Sequence, residues 1–562
     1  MIKLTDRSSC QVYYFCVVLS ILVKLWLLGA YELYIHTSEH DGGLFINLAH
    51  HILNGEWLGP YDYRTLIKGP VYPLFIAASY LLRVPLLFAQ HLLYCLACLV
   101  FAYAVGGRLK TRMHQFFIFV LLLFNPFAAD YPLFYIPYRM GLYVPLIVFF
   151  FGTLIETIYP RKISLAYSLR WSVYLGISFT LLWYTREESI WIVPSLLFGL
   201  LCFLLPFKEE RIPFIKRFAV VVIPLMIWAT TTMSLSLLNQ KYYGVSHIID
   251  IRSEGFTSAY GSILHIKNPT PKQRAVVTRK MREQAYEVSP TLKKLYPYLD
   301  GERRMNWQNA FFMWGLRRGL HIGKFAENAQ EAEDFWLQIG TEVQQACNDG
   351  RLECVRSKPS IRPLWHSSFN KPAVKEFWNI VRQITEFNDP DITNNNISRG
   401  KEQMMWDYII VTGELFVPSR RNLIEKYPDF HKNMKIRHMD ILTDISNLYE
   451  IVVPVFFWFS LLTTVFVIGR ELFQRHLAYD VIPLLSLLGG LFTLCLLLTF
   501  VSITMWEISR PIHSAYPLVL MFIGYSLVIL DRRFELICKY LSWFIAILFL
   551  ISIIYILTLV SG

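Results

Sequence analysis

The sequence predicts an all-α polytopic membrane protein with about eleven transmembrane helices and a mainly helical external domain inserted between the seventh and eighth. Three observations predict it. Of 562 residues, 54% are hydrophobic and only 17% charged, which is too apolar for a soluble enzyme of this length. Apolar runs recur, each about 20 residues long and able to cross a hydrocarbon core of roughly 30 Å. Basic residues are dense in alternate loops and sparse in the others, as the positive-inside rule requires of a multi-pass chain.

The spans are read near 12–31, 86–106, 114–130, 141–158, 171–185, 189–206, 217–238, 451–469, 481–505, 514–530 and 541–559. Lys3 and Arg7 precede the first. Lys24 in mid-helix, with no small-x-small site after it, favours a retained span over a cleaved signal peptide. Arg186-Glu187-Glu188 interrupts the run 171–206 and divides it in two. Loops containing Arg108, Lys110 and Arg112, or Lys208, Arg211, Lys216 and Arg217, or Arg532, Arg533 and Lys539, are assigned to the cytoplasm. That leaves 32–85, 239–450 and 506–513 outside. The net charge of +12 sits largely in those short loops and carries no nucleic-acid signature.

The chain thus divides into an N-terminal transmembrane module, 1–238, with the first external loop 32–85; an external soluble domain, 239–450; and a C-terminal transmembrane module, 451–562. Within the first loop, Leu44, Phe45, Leu48 and Ile52 fall on one side of a helix that Asn54-Gly55 ends. The apolar stretch from Tyr72 to Leu82 is too short to cross and reads as a helix at the outer interface. The external block carries Trp307, Trp314, Trp336, Trp365, Trp378 and Trp406, so it is folded rather than disordered. Apolar spacing over 303–347 is helical and stops at Asn348-Asp349-Gly350. Pro390 to Gly400 reads as a loop. Cys347 and Cys354 are the cysteines of this block, and an oxidising compartment would let them pair.

Glu39-His40-Asp41 follows the first span and precedes Lys68-Gly69-Pro70-Val71-Tyr72-Pro73. A carboxylate at the membrane boundary, partly desolvated, is a stronger base than one in bulk water. Ionisable residues at membrane depth are costly and usually have a task. Arg139, Arg186-Glu187-Glu188 and Arg510 all fall on the same side of the membrane as Asp41. Arginine suits phosphate because its planar fork makes paired, charge-assisted hydrogen bonds. Read alone, these residues are either exposed acids and interfacial anchors or parts of a site that moves a sugar off a phosphate. A base would then serve the nucleophile and cations the leaving group.

The acidic pair, the helix ending in Asn54-Gly55, Lys68-Gly69-Pro70-Val71-Tyr72-Pro73-Leu74-Phe75 and the span ending in Gly106-Gly107-Arg108-Leu109 together resemble the GT-C glycosyltransferases. These are polytopic enzymes that use polyprenyl-phosphate sugars and include protein O-mannosyltransferases and the lipid A aminoarabinose transferase. Asn125-Pro126, Tyr138-Arg139, Thr185-Arg186-Glu187-Glu188 and Arg510 with Tyr516-Pro517 look like later features of the same group. The resemblance covers about 12–206 and, less closely, 481–530; it is absent over 239–450.

The resemblance implies that Asp41 is the catalytic base, with Glu39 completing an acidic motif. It implies that Lys68 and Arg510 contact the donor phosphate, that Arg186, Glu187 and Glu188 line or brace the cavity, and that Arg139 and Tyr72 belong to the substrate-binding set. Relatives often carry paired aspartates where this chain has Glu-His-Asp, which leaves the part played by Glu39 open. So is the cofactor: the two carboxylates suit Mg²⁺ or Mn²⁺ through oxygen ligands, and some relatives work without metal.

The expected activity is inverting transfer of a sugar, hexosyl or pentosyl, from a polyprenyl-phosphate donor to a glycan, glycolipid or protein acceptor. It is expected on the outer face of the cytoplasmic membrane, with membrane lipids as neighbours and no nucleic acid. The alternatives are a lipid or glycolipid transporter or flippase, and a non-catalytic envelope assembly protein. No internal repeat of the kind many transporters carry is visible. The third reading leaves the acidic cluster without a task.

Overall fold

A computed structural model describes residues 7–29, 31–35, 42–130, 135–162, 164–205, 213–268, 272–301, 307, 309–355, 358–388, 390, 392, 397–399, 402–417, 428–474, 478–505, 508 and 510–533. Among them the regular structure is helical, and pairing between extended segments is confined to isolated bridges. A helix satisfies its own backbone hydrogen bonds, which is what a hydrocarbon environment demands of any spanning segment.

Eight helices of the described residues are long and apolar enough to cross a membrane, so the chain is an integral multi-pass membrane protein. They include α1 (Arg7–Leu28), α4 (Leu86–Gly106), α6 (Met140–Ile158), α9 (Phe214–Tyr243), α17 (Asp429–Phe473), α18 (Ile482–Thr504) and α19 (Ala515–Arg533). The span expected at 171–185 lies in α7 (Leu165–Thr185), which is long enough but less apolar than those eight. The span expected at 114–130 is a shorter helix, α5 (Arg112–Leu123), followed by a single 3-10 turn at Pro126–Ala128. Asn125 and Pro126 stop α5 there, because proline cannot continue the ladder. The span expected at 541–559 lies outside the described residues. The interruption read at 186–188 is real: α7 ends at Thr185, a 3-10 turn spans Glu187–Ile192, and α8 (Val193–Leu204) follows.

Helices α6 and α19 are buried almost throughout and form the centre of the bundle. Peripheral α1 and α9 expose Phe15, Leu22, Met226 and Met233, side chains suited to lipid. In the first loop, α2 (Gly42–Leu53) buries Leu44, Phe45 and Leu48 as its periodicity predicts, and Gly55 takes the left-handed φ of +77° that closes it. Helix α3 (Val71–Leu81) is the short apolar helix expected from Tyr72 onward.

The block 239–450, expected to be external, splits between two cores. Residues 256–352 close around their own, in which α10 (Glu254–Leu264) packs on α14 (Ala329–Asn348), flanked by α11 (Arg279–Val288), the short α12 (Pro290–Lys293) and α13 (Asn309–Ile322). The helical spacing over 303–347 corresponds to two helices, α13 and α14. Cys347 and Cys354 form a disulfide at the end of α14. By contrast, α15 (Asn370–Glu386), α16 (Glu402–Thr412) and the first turns of α17 pack into the core of the transmembrane helices through Ile380, Phe387, Tyr408, Val411 and Ile441. Helix α17 has 45 residues. At 1.5 Å per residue it is about 68 Å long, twice the hydrocarbon thickness, so it carries the bundle beyond a single span, across residue 450, without a break.

Glu414, just past α16, accepts a 2.8 Å hydrogen bond from the Leu87 N–H at the start of α4. Burial pushes its carboxyl up to about 7, against the backbone N–H groups of Leu87 and Phe88, which lower it. A raised acid stabilises the fold fully below its ordinary value and loses that contribution as pH rises through about 7. The melting temperature in detergent is therefore expected to fall between about pH 5 and pH 8. Glu414→Gln, which stays neutral, should flatten that fall; an unchanged pH profile in this variant would show that Glu414 does not cause it.

Candidate active site

The run 31–35 leaves α1 and leads toward the acidic cluster, and three other segments hold it. Ile35 donates its N–H to Ser398 Oγ and its carbonyl accepts from Arg399; Val417 N–H bonds Leu33; and Tyr34 N–H bonds Tyr135. Glu39, His40 and Asp41 themselves lie outside the described residues. The chain resumes at Gly42, where an added Cβ would sit 3.0 Å from the Tyr408 hydroxyl and 3.7 Å from the Pro137 carbonyl. The first residue of α2 thus abuts the segment that carries Tyr138 and Arg139.

Around that segment the predicted cations converge. Arg139 immediately precedes α6, is 2% exposed, and donates from Nη1 to both Glu187 oxygens at 2.8 and 3.0 Å and to the Thr185 carbonyl at 3.1 Å. Lys68 Nζ lies 3.7 Å from the same Glu187 carboxylate. Arg186 makes a forked pair with Glu188, Nε to Oε2 at 3.2 Å and Nη2 to Oε1 at 2.9 Å, and places Nη1 3.4 Å from the Tyr138 hydroxyl. Arg510 lies over the Tyr138 ring, its guanidinium carbon 4.9 Å from the centroid. The turn Pro511–Ser514 that follows it packs on α6.

Burial by itself lowers the pKa of Arg186 and Arg139, but Glu188 beside one and Glu187 beside the other outweigh it and hold both above the ordinary value. Both therefore stay charged. Four cations, Lys68, Arg139, Arg186 and Arg510, and two carboxylates, Glu187 and Glu188, thus gather in one place among the described residues. Cations gathered at the N-terminal end of α6 suit an anion.

Gly69 explains how Lys68 reaches the cluster. An added Cβ there would lie 1.9 Å from the Tyr184 carbonyl oxygen, so the loop runs directly against the last turn of α7. Gly69→Ala meets backbone that cannot swing aside, and is expected to cost about 1–3 kcal/mol while displacing Lys68. Denaturation in detergent tests this; wild-type stability would contradict the close approach.

Tyr72 is brought near but differently. It is fully buried, its ring edge-on to Phe45, with its hydroxyl accepting from Gln90 Nε2 at 3.3 Å, so it supports the loop from below. Three contributors were given no role in the site by the sequence. Tyr138 links Arg186 and Arg510 through its ring, and its position beside Arg139 was the available signal. Arg252 donates to the Glu187 carbonyl at 2.8 Å, and Trp314 faces Lys68 with its ring centroid 6.0 Å from Nζ. Both lie far along the chain from their partners, where no local pattern marks them. Among the described residues no group of three or more His, Cys, Asp or Glu side chains is placed to hold a metal; the candidate pair Glu39 and Asp41 is outside them.

No family model matches the chain, and no curated protein matches it by sequence. Among solved structures it is similar to the Archaeoglobus fulgidus oligosaccharyltransferase, at 11% identity and a TM-score of 0.40 over 94% of this chain and 51% of that one. It is similar to AglB from the same organism in complex with an inhibitory peptide and a dolichol-phosphate, at 11% identity, TM-score 0.41, 98% and 55%. It is similar also to ArnT from Cupriavidus metallidurans, at 11% identity, TM-score 0.33, 90% and 77%. The chain spans about half the length of the oligosaccharyltransferase chains it matches. Likeness of this degree carries no argument about chemistry, which rests on the side chains above.

Proposed function

We propose that the protein is an inverting glycosyltransferase that moves a sugar from a polyprenyl-phosphate donor to an acceptor on the outer face of the cytoplasmic membrane. The observation that carries this reading is the convergence of Lys68, Arg139, Arg186 and Arg510 on Glu187, Glu188 and Tyr138, beside the start of α2. Lone-pair density from the acceptor oxygen or nitrogen attacks the anomeric carbon, and Asp41 takes the proton. The bond from that carbon to the phosphate oxygen breaks, and its electron pair leaves with the lipid phosphate toward Lys68 and Arg510. Negative charge gathers on the phosphate as the bond breaks, so the cations act most strongly in the transition state. Glu187 and Glu188 brace the arginines, and Glu39 completes the acidic motif. The external domain, 239–450, selects the acceptor.

The test uses full-length protein in liposomes supplied with radiolabelled polyprenyl-phosphate sugars and envelope glycolipids or proteins as acceptors. Release of lipid phosphate with label on the acceptor is expected. Passage of the intact glycolipid across the bilayer without cleavage would overturn the reading in favour of a flippase.

A further inference from the structure

Two residues before Lys68, Leu66 adopts a φ of +58°, a left-handed conformation that a branched side chain resists. Such a conformation persists only where the surroundings over-determine it. Here the restraint comes from the external domain, on both sides of the strained residue. Before it, Arg317 of α13 donates from Nη2 to the Thr65 carbonyl at 2.8 Å and to the Asp62 carbonyl at 3.2 Å. After it, the Leu66 carbonyl accepts the Asp250 N–H at 2.8 Å. The Asp250 carboxylate in turn holds Arg317 at 2.9 Å, so the two restraints are one unit. Arg317 is 2% exposed, which shields these bonds from water. One turn earlier on the same helix face, Trp314 lies beside the Lys68 ammonium.

We infer that the external domain completes the donor site: Arg317 is a positioning residue that sets Lys68 through the strained loop 62–68, and Trp314 covers the ammonium from outside. The inference rests on the proposed role of Lys68 toward the donor phosphate. It assigns the external domain a task on the donor as well as on the acceptor. Freed from Arg317, Leu66 relaxes to negative φ, and the chain direction into Lys68 changes with it.

The probe is radiolabelled undecaprenyl phosphate bound to the full-length protein in nanodiscs, measured for wild type, Lys68→Ala, Arg317→Ala and the double variant. Each single change is expected to weaken binding about tenfold, the loss of one charge-assisted contact. The double variant should bind no more weakly than Lys68→Ala, because Arg317 acts only through Lys68, and Arg317→Lys should recover part of the affinity. A role in folding alone would make the two effects multiply. Should Arg317→Ala fail to fold, Arg317→Gln, which keeps a donor for the carbonyls, takes its place in the same cycle. Wild-type binding by the Arg317 variant, or multiplied effects in the double variant, overturns the inference alone. Equal binding by wild type and Lys68→Ala overturns the donor role of Lys68 and the inference with it.

Discussion

Glu187→Ala is expected to destabilise the transmembrane bundle by about 3–5 kcal/mol, the cost of stranding a buried charge. The carboxylate is the counter-ion of Arg139 at 2.8 Å and of Lys68 at 3.7 Å, and the side chains of both cations are less than a tenth exposed. Arg139 cannot escape by losing its proton, because guanidinium stays charged throughout the accessible pH range. Nor can it turn to solvent from the first residue before α6 without leaving the Thr185 carbonyl. Glu187→Gln keeps the shape and fails to neutralise, so it should lose stability in the same direction. Removing the three charges together, as Lys68→Met and Arg139→Met with Glu187→Leu, should recover most of the stability and none of the turnover. Chemical denaturation in detergent separates these outcomes. A loss below about 1 kcal/mol for Glu187→Ala would mean that water reaches Arg139 and that the pair behaves as a surface ion pair.

Asp41→Asn is expected to lower the rate of lipid-phosphate release by about 10²–10⁴-fold, the usual contribution of a positioned general base. Asparagine matches the shape of aspartate but cannot take the acceptor proton. Donor affinity should change little, since the phosphate contacts assigned to Lys68 and Arg510 remain. The effect should therefore fall on kcat rather than on donor KM. Single-turnover release with saturating donor is the measurement. Turnover equal to wild type would remove Asp41 from the mechanism and leave the cation cluster to be explained by phosphate binding alone.

The two predictions differ in how their residues were found. Arg139, Arg186 and Arg510 were legible because a charge near membrane depth is conspicuous against apolar sequence, whatever it touches, and Lys68 because it stands in the motif that carries the resemblance. That they share Glu187 and Tyr138 was not legible. Lys68 and Glu187 are separated by well over a hundred residues, and no periodicity connects them. Tyr72 sits within a motif that suggested a substrate contact, yet the packing of α2 on α3 turns it inward against Phe45. The external block was legible as folded from its tryptophans. Its division between a core of its own and the core of the bundle was not, because both halves are comparably rich in aromatic side chains.

By itself the sequence determined the helical class, most of the spans, the two short helices of the first loop and the list of charges at the ends of the apolar runs. Each of those follows from local composition, from a period of 3.6 residues, or from the cost of moving a charge out of water. Only the tertiary structure decided which carboxylate serves which cation, that Gly69 lets Lys68 pass under Tyr184, and that α13 holds Leu66 in its left-handed turn. Those are contacts between segments distant along the chain, set by how the helices pack, and packing is a property of the whole bundle rather than of any stretch within it.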